Sequence, residues 1–242
     1  TALAWLRKAR TTPWALYLNL QATHFPYSLA EGSERPYLPD EPDWSTFTYL
    51  RYARADRDAV INRYDNALAH VDRQLGRVRK FLEDSGQLDN TLVILTADHG
   101  ELFFDRDMVT HGRTLYDIES RVPLVLRWPG HFPAERRDEP ASHLDIMPTV
   151  LDALGLPPHP SWQGQSALVP TPADVGKKAI FMNIQGLRFA DGAVCWPYKL
   201  MIDRTARQPH LYHLANDPEE QVDLVEREPA IAEKLTRTLS NQ

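Results

Sequence analysis

The sequence predicts an α/β protein with a mostly parallel or mixed sheet sandwiched by helices, followed by a small C-terminal antiparallel sheet plus helix. Apolar runs at residues 14–20, 90–97 and 122–128 are typical of strands that are buried on both faces. A helical periodicity separates the first two runs, and short segments with turn residues between them fill the C-terminal quarter. We expect two domains: residues 1–170 form the α/β core, and residues 171–242 form a small α+β subdomain.

The first predicted strand, residues 14–20, follows Pro13 and leads into an irregular stretch rich in Pro, Glu, Ser and aromatic residues. Structureless stretches of this length in compact domains are commonly functional, so we expect residues 21–49 to border a site. Apolar residues at spacings of three and four then predict an amphipathic helix over residues 56–82. This helix is expected to stop near Gly86.

The second strand, residues 90–97, ends directly in Asp98-His99-Gly100, and the third, residues 122–128, is closed by Pro129-Gly130. A short helix over residues 145–154 ends at Gly155, and a helix over residues 228–239 closes the chain. Short strands of a small antiparallel sheet are predicted at residues 179–183, 187–190, 193–202 and 210–214.

Composition excludes several classes of protein. The chain has 242 residues, a formal net charge of -6 and no run of Lys and Arg, which disfavours nucleic acid as a partner. A single cysteine excludes an internal disulfide framework. The apolar runs are far shorter than the roughly 20 residues of a transmembrane helix, so no transmembrane segment is expected. The N-terminal residues do not resemble a signal peptide and begin without Met. We therefore expect a fragment of a longer protein, with any export signal upstream of Thr1.

Candidate site residues cluster after the predicted strands. Asp98 and His99 offer a hard oxygen and an imidazole at the carboxyl end of a strand, where ligands collect in open α/β sheets, and could bind a metal ion. His111 and Arg113, thirteen and fifteen residues beyond Asp98, suit a tetrahedral oxyanion. His24 follows the first strand and would lie at the same edge if the strands are parallel. Taken alone, the Asp98-His99 pair is as readily a helix cap followed by a surface histidine. His111 and Arg113 are each more often surface loop residues, and His24 is more often a structural histidine.

The order and spacing of these motifs resemble the sulfatase family of the alkaline-phosphatase superfamily. The C-terminal run Leu211-Tyr-His-Leu-Ala-Asn-Asp-Pro-Glu-Glu220, preceded by Lys199-Leu-Met-Ile, is similar to the hairpin that ends sulfatases. The other matching segments are residues 20–27, 64–86, 90–101, 111–130 and 145–156.

The resemblance implies an alkaline-phosphatase-like fold that is incomplete in this chain. It implies one divalent metal held by Asp98, His99 and acidic residues of the N-terminal half, with calcium favoured over manganese, magnesium or zinc. His24 would bind the sulfate group of the substrate, and His111 and Arg113 would be catalytic. Family members are commonly periplasmic or extracytoplasmic, and a cytoplasmic location stays open.

The family's nucleophile and paired aspartates are expected upstream of this chain. Cys195 in Cys195-Trp-Pro-Tyr-Lys199 is similar to the C-x-P-x-R signature in which a cysteine matures to formylglycine. Lys replaces the final Arg, however, and the segment lies near the C-terminus rather than after an N-terminal strand. We expect Cys195 to be a packed strand residue and the fragment alone to be inactive.

The expected function is metal-dependent hydrolysis of a sulfate ester by the full-length protein. Sulfatases often have Asn where His99 stands, and the His-Gly form also occurs in related phosphoryl-transfer enzymes. A phosphoester or phosphonate hydrolase, or a phosphoethanolamine or glycerophosphate transferase, is therefore the alternative enzyme, with a phosphate ester as substrate. A non-catalytic binding domain that retains the fold is the third reading. Sheet edges left exposed predict a homo-oligomer.

Overall fold

The computed structural model describes residues 2–8, 12–49, 51–168, 178–186 and 188–241. The expected domain boundary at residues 170 and 171 lies outside these residues. The helices of four or more residues are α1 (Ala2–Leu6), α2 (Arg57–Asp84), α3 (Asp117–Ser120), α4 (Ile146–Ala153) and α5 (Pro229–Ser240). The strands are β1 (Val93–Thr96), β2 (Leu102–Asp105), β3 (Met108–Thr110), β4 (Leu124–Arg127), β5 (Ile180–Gln185), β6 (Phe189–Cys195), β7 (Tyr198–Asp203) and β8 (Gln208–His213).

These elements confirm the predicted mixed α/β class and the small C-terminal antiparallel sheet with its helix. β1 pairs with β4, β2 pairs with β3 in an antiparallel hairpin, and the remaining four strands form one sheet in the order β5-β6-β7-β8. The chain divides into two compact units. The first comprises residues 1–93, 102–110 and 127–129, and the second comprises residues 94–101, 111–126 and 130–242.

In the first unit, α2 is the main scaffold, and its apolar stripe contributes Val60 and Ala67 to a core with Tyr27, Tyr52 and Val109. The helix spans 28 residues and ends before Gly86, which has a φ of 69°, as the periodicity and the glycine predict. No helix among the described residues combines the length and apolarity that a membrane span requires.

The irregular stretch before α2 is held on the helix by a buried amide. The side chain of Asn66 donates to Tyr37 O at 2.9 Å and to Asp40 Oδ2 at 3.0 Å, and accepts from Tyr37 N at 3.0 Å. Arg63 Nε donates to Pro26 O at 3.0 Å. These bonds from two positions on α2 fix the backbone of a stretch that has no regular structure of its own.

In the second unit, the four-stranded sheet carries most of the apolar core. Each neighbouring pair in β5-β6-β7-β8 is antiparallel. α5 packs Ala232 and Leu235 against Cys195, Leu200 and Leu211 of this sheet. The C-terminal helix and sheet therefore share one hydrophobic cluster.

Two strand predictions are wrong. Residues 14–20 are not a strand, because a strand needs a hydrogen-bonded neighbour and no described residue pairs with this segment, in which Tyr17 is 87% exposed. The run 193–202 is not one strand but the junction of β6 and β7, which turn at Trp196-Pro197 with Cys195 paired to Tyr198. Proline lacks the N–H that a continuous central strand would need.

Candidate functional site

The turn after β1 presents Asp98 and His99 as adjacent oxygen and nitrogen donors. The Asp98 carboxylate is 88% exposed, and its Oδ2 lies 3.7 Å from His99 Nε2. His99 Nδ1 lies 2.8 Å from Gly100 O. Because a carbonyl oxygen only accepts, Nδ1 carries a proton, and in the neutral imidazole Nε2 therefore keeps its lone pair. His99 is thus set in the tautomer that a metal ligand requires, with the carboxylate beside the free nitrogen.

Gly100 lets this turn lie directly against α3. Its N–H donates to Glu119 O at 2.7 Å. A Cβ at position 100 would lie 2.2 Å from Ile118 O and 3.1 Å from Glu119 Cα. Both are backbone atoms, so a side chain at this position could not be accommodated by a rotamer change alone. The glycine is required by the close approach of two backbone segments.

The loop that carries His111 and Arg113 is organised by one carboxylate. Glu119 is 5% exposed and accepts from Gly112 N, from Arg113 N at 3.1 Å and from Thr114 N at 3.0 Å. Burial raises the pKa of Glu119, and the three backbone N–H groups act in the opposite direction. Three successive amides thus converge on a desolvated acceptor, which fixes the backbone between His111 and α3.

His111 is held in a setting that favours its cationic form. Its Nδ1 lies 3.3 Å and 3.4 Å from the two oxygens of Glu101, whose side chain is 5% exposed. The hydrogen bond to Glu101 raises the pKa of His111 above its usual 6.5, against the lowering effect of burial. The His111 ring also lies 3.9 Å from the His99 ring, centroid to centroid. The turn of Asp98 and His99 and the His111 loop therefore meet.

Arg113 has a guanidinium nitrogen without an acceptor. Its Nη1 is buried and makes no hydrogen bond to any described residue. Buried polar groups are nearly always paired, and an orphaned cationic donor is costly. Such a nitrogen is typical of a site that is completed by an anion, and guanidinium geometry suits sulfate and phosphate oxygens.

Four of the five residues selected from the sequence lie in the second unit, and contacts bring together the segments that carry them. His24 belongs to the first unit, where its Nδ1 lies 2.7 Å from Phe25 O. The convergence of His24 with the other four remains a prediction. Sequence reasoning did not identify Glu101 and Glu119, because a buried acid in a short connecting segment has no motif.

The donor set fits a divalent metal only in part. Asp98 and His99 supply an oxygen and an imidazole nitrogen, whereas a tetrahedral zinc site needs four donors and a calcium site six to eight. Among the described residues, no group of three or more His, Cys, Asp or Glu side chains could hold a metal ion. This chain therefore offers two candidate ligands, and any others would have to come from elsewhere.

Comparison with known proteins gives one family. A family model described as Sulfatase matches residues 1–156. The chain is 25% identical over 288 aligned positions to arylsulfatase K of Bos taurus, covering 98% of this chain and 53% of that protein. The chain thus spans about half the length of the curated relatives it matches.

Solved structures resemble the chain in fold. A structure described as BT4656 in complex with its substrate D-glucosamine-2-N,6-O-disulfate matches with a TM-score of 0.65 at 23% identity, over 77% of this chain and 41% of that one. The phosphonate monoester hydrolase of Agrobacterium radiobacter matches with a TM-score of 0.59 at 27% identity, over 77% and 42%. The first likeness, below 25% identity, concerns the fold alone.

Proposed function

Because this chain belongs to the sulfatase family, we propose that the full-length protein is a metal-dependent sulfuric ester hydrolase to which the chain contributes metal-binding and oxyanion-binding residues. The observation that carries the proposal is the buried Arg113 Nη1, which has no acceptor among the described residues. It lies on the loop of His111, a histidine whose surroundings favour the imidazolium. Two cationic donors on one loop suit an anionic group with tetrahedral oxygens.

Asp98 and His99 are proposed as metal ligands. Sulfatases generally use a divalent metal, and when bound it would act as a Lewis acid and a template for the ester oxygens. We favour calcium from the family resemblance; the His99 imidazole suits zinc, and the Asp98 carboxylate also suits manganese and magnesium. The hydrogen bond from Nδ1 to Gly100 O orients the imidazole so that Nε2 faces the same side as the Asp98 carboxylate.

His111 and Arg113 are proposed to stabilise the charge that develops on the transferred group. Arg113 would donate from its guanidinium to sulfate oxygens, and His111 would donate a hydrogen bond or a proton to the departing oxygen. Glu101 would keep His111 protonated through the Nδ1 contact, and Nε2 would be the donor to substrate. His24 is proposed as a further donor to the sulfate group.

The nucleophile is proposed to lie in the part of the protein outside this chain. Cys195 is a poor candidate because it is fully buried in the cluster of Leu200, Leu211 and Leu235. Burial also raises the pKa of the Cys195 thiol, which disfavours the thiolate. A C-x-P-x-R or S-x-P-x-R motif in the remaining sequence would support the sulfatase assignment.

A phosphonate or phosphate ester hydrolase is the second candidate. It is favoured by the likeness to the Agrobacterium radiobacter phosphonate monoester hydrolase at 27% identity. In-line transfer from sulfur and from phosphorus uses the same cationic donors, so Arg113 and His111 would act alike in both.

The test is turnover of an aryl sulfate, an aryl phosphate and a phosphonate monoester by the full-length protein and by Arg113→Ala. Loss of one donor to a developing oxyanion lowers kcat by about 10²–10³-fold, and we expect a loss of that order for the preferred ester. Arg136→Ala is the matched control, because Arg136 is 87% exposed and its ion-pair distance to Asp138 is 3.7 Å. Faster turnover of the phosphonate than of the sulfate would favour the second candidate, and equal activity of the two variants would exclude the role of Arg113.

A further inference from the structure

We propose that Glu119 is a positioning residue for both loops of the candidate site, and that a buried ion cluster of the C-terminal sheet holds it in place. The inference rests on the proposed function, since it takes Asp98 and His99 to be metal ligands and His111 and Arg113 to be donors to the oxyanion. It gives the four-stranded sheet a part in the reaction rather than in folding alone.

Glu119 joins the two loops through different atoms. Its carboxylate accepts the N–H groups of residues 112–114, and its main-chain oxygen accepts the N–H of Gly100 at 2.7 Å. The segment that carries His111 and Arg113 and the turn that carries Asp98 and His99 are therefore bound to one residue. Any displacement of Glu119 would move both.

α3, which contains Glu119, cannot hold this position unaided. The helix has four residues, far fewer than an isolated helix needs for stability. Its hydrogen bonds to the rest of the second unit must therefore keep it folded and in place.

The C-terminal sheet supplies those bonds through a buried lysine. Lys199 on β7 is fully buried, and its Nζ lies 2.7 Å from Asp117 Oδ1, 2.9 Å from Glu220 Oε1 and 3.3 Å from Ser120 Oγ. Glu220 Oε2 also accepts from Asp117 N at 2.6 Å. Asp117 and Ser120 are the first and last residues of α3. Both ends of the helix are thus bonded to residues of the C-terminal region.

The burial of the charged groups strengthens the attachment of α3. Lys199 and Glu220 are 0% and 2% exposed, and a buried ion that loses its partner is strongly disfavoured. The cluster is therefore expected to stay intact in the folded protein and to hold α3 in one place. Misplacement of a reacting group by about 1 Å can lower a rate about 100-fold, so this restraint is large enough to matter for turnover.

The test compares Glu119→Gln and Glu220→Gln with Asp223→Asn in the full-length protein. Glutamine keeps the volume of Glu119 but puts an amide group where an oxygen accepted. Asp223 is the matched control, because it also accepts two backbone N–H groups, from Leu211 and Val225 at 3.0 Å each, and makes no hydrogen bond or ion pair with α3 among the described residues.

We expect kcat to fall about 100-fold in Glu119→Gln and inhibition by inorganic sulfate to weaken at least about 10-fold, with both unchanged in Asp223→Asn. Amide hydrogen exchange gives a readout independent of turnover. The Gly100 amide should exchange faster in Glu119→Gln and Glu220→Gln, although neither substitution removes its acceptor. Faster exchange there reports a displacement of α3.

Unchanged kcat and unchanged exchange at Gly100 in Glu119→Gln would overturn the proposal, as would equal losses in Asp223→Asn. If Glu119→Gln does not fold, Gly100 amide exchange in Glu220→Gln tests the proposal instead, because this substitution leaves the Lys199–Asp117 pair in place. Unchanged exchange there would overturn the proposal. If the wild-type protein turns over none of the three esters, the proposed function fails, while exchange at Gly100 still decides whether α3 positions the turn.

Discussion

Gly100→Ala is expected to lower the activity of the full-length protein far more than its stability. The added Cβ would lie 2.2 Å from Ile118 O, where ordinary contacts begin at about 3.4 Å. The turn and α3 must therefore separate by roughly 1 Å. The Gly100–Glu119 hydrogen bond spans the same gap and would lengthen with it.

The turn carries Asp98 and His99, and α3 carries Glu119, which binds the loop of His111 and Arg113. This displacement therefore falls on the geometry of the site itself. A shift of about 1 Å predicts a loss of about 100-fold in kcat. Overpacking of this kind costs about 1–3 kcal/mol of the free energy of unfolding, which a folded domain usually tolerates.

Gly76→Ala is the matched control. Gly76 lies inside α2, and a Cβ there would meet nothing within 4 Å. Alanine should stabilise the helix by about 0.5–1 kcal/mol and leave turnover unchanged. Ester turnover and urea unfolding are measured on both variants. A Gly100→Ala protein with wild-type kcat would refute the close approach of the turn to α3.

Four further outcomes are expected. Asp98→Ala and His99→Ala should each weaken calcium or manganese binding at least about 10-fold by titration calorimetry with the fold retained, and normal metal binding in both would make the pair structural. Cys195 should react with a thiol reagent only after unfolding, and Cys195→Ser should keep wild-type turnover; abolished turnover would make it the nucleophile. Burial raises the pKa of Asp223, but the N–H groups of Leu211 and Val225 and the contact with His210 lower it overall, so its contribution to the free energy of unfolding is full above about pH 3.9 and is lost as pH falls through the lower folded-state pKa. Asp223→Asn should lack this pH-dependent contribution in acid unfolding. Identical acid transitions of the variant and the wild type would contradict the expectation. The isolated chain should self-associate in sedimentation experiments, because Leu95 on β1 and Val125 on β4 are 43% and 50% exposed, and a strictly monomeric fragment would contradict the expectation.

Elements with a strong local signal were predictable from the sequence. The periodicity of α2 predicted residues 56–82, and the helix spans Arg57–Asp84. The closing helix and the two strands around residues 94 and 125 were found in the same way. The segment 14–20 shows the limit, since an apolar run gives β propensity but does not supply the neighbouring strand that completes it.

The hairpin of β2 and β3 was missed for a different reason. Its turn residues Arg106 and Asp107 have φ values of 50° and 60°. A glycine at such a position would have indicated a hairpin turn in the sequence, and neither residue is a glycine. Among the site residues, Asp98, His99, His111 and Arg113 were selected by residue type and position. The role of Glu119 depends on backbone amides that only the folded chain brings together.

The division of the chain into interleaved segments limits how it can be cut. The chain leaves the second unit after residue 101, contributes residues 102–110 to the first, and returns at residue 111. Residues 127–129 likewise belong to the first unit, although the segments before and after them belong to the second. No single backbone cleavage can therefore separate the two units as covalently independent pieces. A protease nick in the hairpin would leave each product with parts of both units, and a truncated gene ending at any residue from 94 to 128 would encode neither unit whole.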